Sequence, residues 1–224
     1  MLIRCMGIIA LLALSPLSAS PLHQLSTNGE PPPLIVCTGE YALCASASCQ
    51  PIPRYEKKAL SQGSFQVEST MALCQCDNKN GINVAQVPCE YRGDGSEQSR
   101  VSTYSWADAA DSPPKNVMHC ESQAKFTNCL NAPCQVDPLD PSKSVCTCPM
   151  TSTADSGDQW VTFGADCSAT QCATTLWSGA TQGAIDGADC CIDEYLATEQ
   201  DGQPFTCSGT ATSSCKVGYG LCPG

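Results

Sequence analysis

Two cysteine spacings recur in this chain and restrict its fold more than any other feature. Residues 40–51 read EYALCASASCQP and residues 126–138 read FTNCLNAPCQVDP. Each stretch holds two cysteines separated by four residues and followed at once by Gln. Each is followed later by a CxC, LCQC at 73–76 and VCTC at 145–148. Extended outward, the first set is Cys37, Cys44, Cys49, Cys74, Cys76 and Cys89, and the second is Cys120, Cys129, Cys134, Cys146, Cys148 and Cys167. The gap of four and the gap of one fall in the same order in both. Such periodicity reads as a six-cysteine module written twice. A third group, Cys172, Cys190, Cys191, Cys207, Cys215 and Cys222, has no CxC and sits in a tail rich in Gly, Thr and Ser. It reads as a diverged copy or as a cap on the second module.

The chain needs these cysteines because its apolar content is low. Leu, Ile, Val and Phe supply 38 of 224 residues, about 17%, and the formal net charge is -11. That combination buries too little apolar surface to offset the entropy of ordering the backbone, so an uncross-linked chain of this kind stays unfolded. A disulfide closing some fifteen residues contributes about 3 kcal/mol in the chain-entropy model. Several together replace a large core.

Residues 1–20, MLIRCMGIIALLALSPLSAS, place Arg4 before an apolar run and end in small residues. This is the layout of a secretory signal peptide, and the run is too short to span a bilayer. Its removal takes Cys5 away and leaves eighteen cysteines, an even number suited to an oxidising compartment. The sequence therefore predicts a secreted, extracellular protein. Residues 21–36 read as a Pro-rich N-terminal arm, 37–105 as the first module, 106–119 as a linker marked by Ser112, Pro113 and Pro114, 120–171 as the second module and 172–224 as the C-terminal segment.

The predicted fold class is small and disulfide-rich, with mostly short β-strands and loops and one short helix per module. Strand-like pieces are SFQVEST, INVAQVPC and QWVTFGADC, and the small residues Ala45, Ser46, Ala47 and Ser48 suit a short helix. In an extended strand the two cysteines of a CxC share a face about 7 Å apart, so each must bond elsewhere. Adjacent Cys190 and Cys191 likewise call for separate partners. A turn is expected at Asn80 and Gly81.

Chemistry leaves few marks. Structural zinc sites use paired CxxC spacings, and the chain has none, so all eighteen cysteines read as structural disulfides, with no metal and no cofactor. The stretch around Asn78, Asn80 and Gly81 lacks the carboxylates of a calcium loop. Acidic stretches with Asp137 and Asp140, and with Asp186, Asp189, Asp193 and Glu194, read as solvated surface. Only His23 and His119 offer imidazoles, and His23 lies in the arm. One tripeptide, Arg92-Gly93-Asp94 in CEYRGDGSEQ, resembles the integrin-binding tripeptide of adhesive proteins and marks candidate partner-binding residues.

An excess of acidic side chains argues against nucleic acid as a partner, and no later apolar stretch is long enough for membrane insertion. The function predicted is non-catalytic binding of an extracellular protein or cell-surface partner, as an inhibitor, effector, toxin-like or surface-associated protein. The alternatives are a small secreted hydrolase using His119 or a carboxylate pair, and a cell-wall or matrix component. Variable loops between Cys49 and Cys74 and between Cys89 and Cys120 are the places where the sequence puts function.

Overall fold

The two CxC stretches lie side by side. A computed structural model describes residues 32–57, 64–67, 70–92, 98–105, 116–120, 124–164, 175–198 and 202–207. Among these the strands in chain order are β1 (Ile35–Leu43), β2 (Ser48–Pro51), β3 (Arg54–Lys57), β4 (Ser64–Val67), β5 (Met71–Ala85), β6 (Ser99–Thr103), β7 (Asn116–Cys120), β8 (Phe126–Thr127), β9 (Pro133–Asp137), β10 (Asp140–Thr151), β11 (Trp160–Gly164), β12 (Leu176–Trp177), β13 (Ala180–Thr181) and β14 (Phe205–Thr206). One α-helix, α1 (Gln182–Ala197), precedes β14. The protein is a small, disulfide-rich, mostly β fold with one short helix among the described residues.

Cys74 and Cys76 belong to β5, and Cys146 and Cys148 to β10. These two strands pair antiparallel with Cys74 opposite Cys146. All four sulfurs occupy one buried face, as the two-residue period of a strand requires, while Leu73 and Gln75 between them face outward. The outer edge of β5 carries β1 and then β2; the outer edge of β10 carries β8 and then β9. Finally β6 pairs with β1 on one side and β9 on the other, so β5, β1, β6, β9 and β10 close on themselves.

Disulfides cross these pairs. Cys49 lies directly opposite Cys74 and bonds to it, with Cα atoms 4.2 Å apart. Cys134 lies directly opposite Cys146 and bonds to it, at 4.0 Å. One turn further out Cys44 bonds Cys76, and Cys129 bonds Cys148. In both sets the second cysteine meets the fifth and the third meets the fourth. Cys37–Cys89 closes the first set. Cys191 bonds Cys207, so it does not bond its neighbour Cys190, which is bridged elsewhere, as is Cys120. Every one of the fourteen cysteines among the described residues is bridged. Sulfur and alanine fill the space that branched side chains fill in ordinary cores: the largest buried cluster is Cys44, Cys49, Cys74, Cys76, Cys129, Cys134, Cys146 and Cys148 with Ala42, Ala47, Ala72 and Ala132.

Three expectations are corrected. Residues 45–48 are not helical; they form a turn, closed by Ala47 N–H donating to Cys44 O at 3.3 Å, before the chain resumes as β2. The matching turn closes with Ala132 N–H donating to Cys129 O at 2.9 Å, so neither CxxxxC stretch is a helix. Cys49 and Cys134 already lie in β2 and β9, in register opposite Cys74 and Cys146, so the chain between the two cysteines of each stretch is taken up by the turn that leads into that strand. Asn80 and Gly81 do not turn either. There β5 runs straight through, Gly81 facing Gly39 in β1, because Cys44–Cys76 and Cys37–Cys89 hold the two strands together at both ends. Asn78 ties β5 to β10 by donating to Pro141 O (2.9 Å) and Lys143 O (3.0 Å). The one described helix lies instead in the C-terminal segment. Ile185, Ala188, Ile192 and Tyr195 recur at helical spacing there, and the Thr181 hydroxyl caps the start by accepting from Ala184 N–H.

Segment boundaries read from sequence meet the strands as follows. Residues 1–20 lie outside the described residues, and the end of the 21–36 arm, Ile35 and Val36, begins β1. The close of the 106–119 linker lies in β7, which pairs with β11. β14 of the C-terminal segment pairs with β1, and Cys191–Cys207 ties it to α1.

The Cys134–Cys146 bridge spans 12 residues of sequence, so the double variant Cys134→Ala/Cys146→Ala should lower the unfolding free energy by about 3 kcal/mol. Denaturant titration reads this directly. A loss below about 1 kcal/mol would show that neighbouring bridges already hold the strands in place.

Candidate functional site

The two cysteine turns, 44–47 and 129–132, meet at a cavity. It has a volume of about 350 Å³ and is bounded by both turns, by the end of β6, by β11 and β13 and by the first two turns of α1. Backbone hydrogen bonds position each wall. Ala45 O accepts from Phe163 N–H at 3.0 Å, and Ala47 O accepts from Ser178 N–H at 2.9 Å. On the other side Ser102 N–H donates to Ala132 O and Asn131 N–H to Ser102 O, both at 2.9 Å. Asn131 has a φ of 68°, a conformation that Asn tolerates better than most residues. The disulfides thus fix the turns, and the turns fix the cavity.

Its apolar wall comes from Val161, Phe163, Ile185 and Phe126, the last stacked on Trp160 at 4.9 Å between ring centroids. Trp160 is fully buried and donates its indole N–H to Ala124 O at 3.0 Å. Gly179 sits against this ring. A Cβ there would fall 2.6 Å from Val161 O and 2.7 Å from Trp160 Cε3, so the strand crosses the indole only because residue 179 has no side chain. No Asp, Glu, Lys, Arg or His among the described residues lines the cavity.

The polar members of the wall include Thr103 and Ser178. Both residues are buried, at 3% and 2% exposure, and neither hydroxyl has a hydrogen-bond partner. Thr103 is placed by pairing with Leu43 across β1 and β6, and Ser178 by bridging to Thr127. The buried Thr127 hydroxyl, by contrast, donates toward Trp177 O at 3.2 Å amid the sulfurs of Cys49 and Cys74.

The residues singled out from sequence lie elsewhere. Arg92 is buried, and its guanidinium donates inward: Nε to Val87 O (2.9 Å), one terminal nitrogen to Ile35 O (2.6 Å) and Ala85 O (3.3 Å), the other to Asn83 O (3.3 Å) and the Asn83 side chain. Burial pushes its pKa down to about 10, so it remains cationic at neutral pH. The guanidinium that an adhesive tripeptide would offer to a partner is turned into the protein, clamping β1 to β5; Gly93 and Asp94 lie outside the described residues. His119 is exposed in β7, opposite Val161 in register, and does not line the cavity. Asp137 and Asp140 cap their own hairpin by accepting from Leu139 N–H and Ser142 N–H. The Ser142 hydroxyl, also donating to Asp140, holds that carboxyl below its usual range. Asp186 accepts from Gln182, and Asp189, read from sequence as surface, is buried on α1.

Two groups of sulfurs, Cys44 with Cys129 and Cys148, and Cys44 with Cys76 and Cys146, lie within 4.8 Å of one another. All belong to disulfides, and a bridged sulfur carries no thiolate to ligate a metal. They act as packing.

The cavity has no local signature in the sequence because its walls come from six separated segments. One wall does have a signal that the sequence reading passed over, the apolar spacing of α1 and the Thr181 cap before it. No helix among the described residues is long and apolar enough to cross a membrane. No protein-family model matches the chain, and comparison with characterised proteins and with solved structures gives no significant match.

Two substitutions test these placements. Gly179→Ala should destabilise the fold by roughly 1–3 kcal/mol by overpacking the indole, and Arg92→Met by a similar roughly 1–3 kcal/mol by leaving buried carbonyls unpaired. Thermal and urea unfolding measure both. A wild-type midpoint in either variant would overturn the corresponding contact.

Proposed function

We propose that this protein is a secreted, disulfide-locked binding protein, built from two copies of one six-cysteine module and acting on an extracellular partner without catalysis. The observation that carries the reading is the cavity at the two cysteine turns, a largely apolar space held by bridges and lined, among the described residues, by no acid, base or nucleophile of the usual catalytic kinds except neutral hydroxyls. Secretion is supported by the apolar leader and by cysteine bridging in the described residues, a state that belongs to oxidising compartments.

Duplication is supported by geometry that the spacing did not contain. Both sets join second to fifth and third to fourth cysteine. Both turns close from an Ala N–H to a Cys O. In both, the pairing register slips by three residues across the turn, from Leu43 opposite Asp77 to Cys49 opposite Cys74, and from Thr127 opposite Met150 to Cys134 opposite Cys146. Partner identity as a class follows from the site: something that presents apolar surface to a rigid recess whose described walls are uncharged.

Expressed with its leader in a secreting host, the chain should appear in the medium, cut near residue 20, with all eighteen remaining cysteines inert to alkylation until reduced, as intact mass would show. His119→Ala should leave stability and binding unchanged. Retention inside the cell, free thiols in the folded protein, or a hydrolytic activity lost with His119→Ala would each overturn the reading.

A further inference from the structure

The pairing of β5 with β10 sets the bridges of the two cysteine sets against each other. Cys44 Sγ, bonded to Cys76, lies 3.5 Å from Cys146 Sγ, which is bonded to Cys134. Neither sulfur carries a proton, so this is a direct contact between two disulfides. Cys44 Sγ also stands within 4.8 Å of the sulfurs of Cys129 and Cys148, which form the other turn bridge of the second set. The eight cysteines of this cluster are at most 7% exposed, so their sulfurs meet one another more readily than they meet solvent.

Thiol–disulfide exchange needs a thiolate that can reach a disulfide sulfur. Reacting atoms held about 3–3.5 Å apart are already at the separation from which an intramolecular attack starts, without the entropy cost of bringing two molecules together. We propose that the contact between Cys44 and Cys146 is a built-in exchange site, through which an extracellular dithiol switches the protein from bridges within each cysteine set to a bridge between the sets. The dithiol opens Cys44–Cys76 by passing two electrons and two protons to it, and itself becomes a disulfide. The Cys44 thiolate then attacks Cys146. The Cys44–Cys146 bond forms, the Cys134–Cys146 bond breaks, and the electron pair leaves on Cys134. Opening Cys134–Cys146 first reaches the same product, because the Cys146 thiolate attacks Cys44 and expels Cys76. Both routes end with one Cys44–Cys146 bridge and with thiols at Cys76 and Cys134, and the exchange step itself consumes no electrons.

The switch acts where the fold is held. Cys134–Cys146 is a rung between β9 and β10, and Cys44 begins the turn whose first two residues line the cavity. Exchange frees that rung and ties that turn to the opposite set. This device goes beyond the binding role proposed above and does not depend on what the cavity takes.

The test locates thiols by acid quenching, unfolding, maleimide labelling and peptide mass spectrometry. In the full chain carrying Cys76→Ser, at least about a tenth of the unpaired thiol should sit on Cys134 instead of Cys44, as expected when the two pairings differ by no more than about tenfold. Cys134→Ser should in the same way place thiol on Cys76 instead of Cys146. Cys37→Ser is the control, since its orphaned Cys89 lies outside the sulfur cluster and should keep its thiol. Wild-type protein gives an arm that no folding defect can spoil. Reduction by a phosphine at about pH 4, where thiols are protonated and do not exchange, is carried on until thiols appear at Cys44 with Cys76 or at Cys134 with Cys146; a jump to about pH 8 should then yield the Cys44–Cys146 bridge with thiols at Cys76 and Cys134. The inference is overturned by thiols that stay on Cys44 in Cys76→Ser and on Cys146 in Cys134→Ser, or by a pH jump that yields no Cys44–Cys146 bridge. Cys44 joining Cys129 or Cys148 in place of Cys146 would also overturn it, as would equal scattering of the thiol in Cys37→Ser, which would make unfolding and not contact the cause.

Discussion

Everything in this fold hangs on cysteine pairs that face each other directly across antiparallel strands. Cys49 opposite Cys74 and Cys134 opposite Cys146 are covalent rungs within β-ladders, with Cα separations of 4.2 and 4.0 Å. Such a rung fixes more than distance. Side chains alternate in a strand, so a slip of one residue would move each sulfur to the opposite face and break the bond. Register, facing and strand order are therefore set at once, by residues that also fill the interior. A chain with 38 Leu, Ile, Val and Phe in 224 residues can in this way order a sheet that its apolar side chains alone would not hold.

The same economy explains the cavity. A sulfur and alanine core is thin; it glues strands but does not extend far above the sheet. Bulk enters where β11 and α1 bring Trp160, Phe163 and Ile185 against the turns, and where α1 packs Tyr195 near Val36 and Val84. Where the thin layer and the bulky layer meet, packing is incomplete, and the space falls at the turns, which bridges hold on both sides and which therefore cannot collapse into it. A void in a flexible core closes. This one is braced by Cys44–Cys76 and Cys129–Cys148.

How much of this stood in the sequence depends on the range of the interaction. The disulfide character, the strand nature of 64–67, 82–85 and 160–164 and the common face of each CxC follow from composition and local period, and the structure has them. The helix expected at 45–48 fails because local propensity is overruled by strand pairing: Cys49 lies in β2, opposite Cys74 and bonded to it. The turn expected at Asn80 and Gly81 fails for a related reason: two bridges outweigh the preference of an Asn-Gly pair. Arg92 shows the converse. Next to a glycine and an aspartate it reads as a surface motif, and only the carbonyls of Ile35, Asn83, Ala85 and Val87 reveal a buried clamp. Thr103 and Ser178 carry no local signal at all, since what distinguishes them is the lack of a partner in three dimensions.

On the proposed duplication, the contact between the copies has a physical logic of its own. Fourth cysteine faces fourth cysteine, Cys74 against Cys146, and on either side Cys76 faces Ser144 while Cys148 faces Ala72. Since Ala72 and Ser144 hold equivalent places before their CxC, the pairing is self-complementary about its centre, like the contact of a two-fold dimer. A single module would leave its CxC strand as an open edge, with unpaired backbone groups beside a buried row of sulfurs. A second copy of the same strand, run antiparallel, satisfies both at once. The side-chain bonds that differ between the strands, the Lys143–Asp77 ion pair and the reach of Asn78 to Pro141 and Lys143, then make the match specific to this pair of copies and disfavour pairing with another molecule. The cavity lies where the turns of both copies converge, so a recess of this kind is a property of the joined pair and of neither module alone.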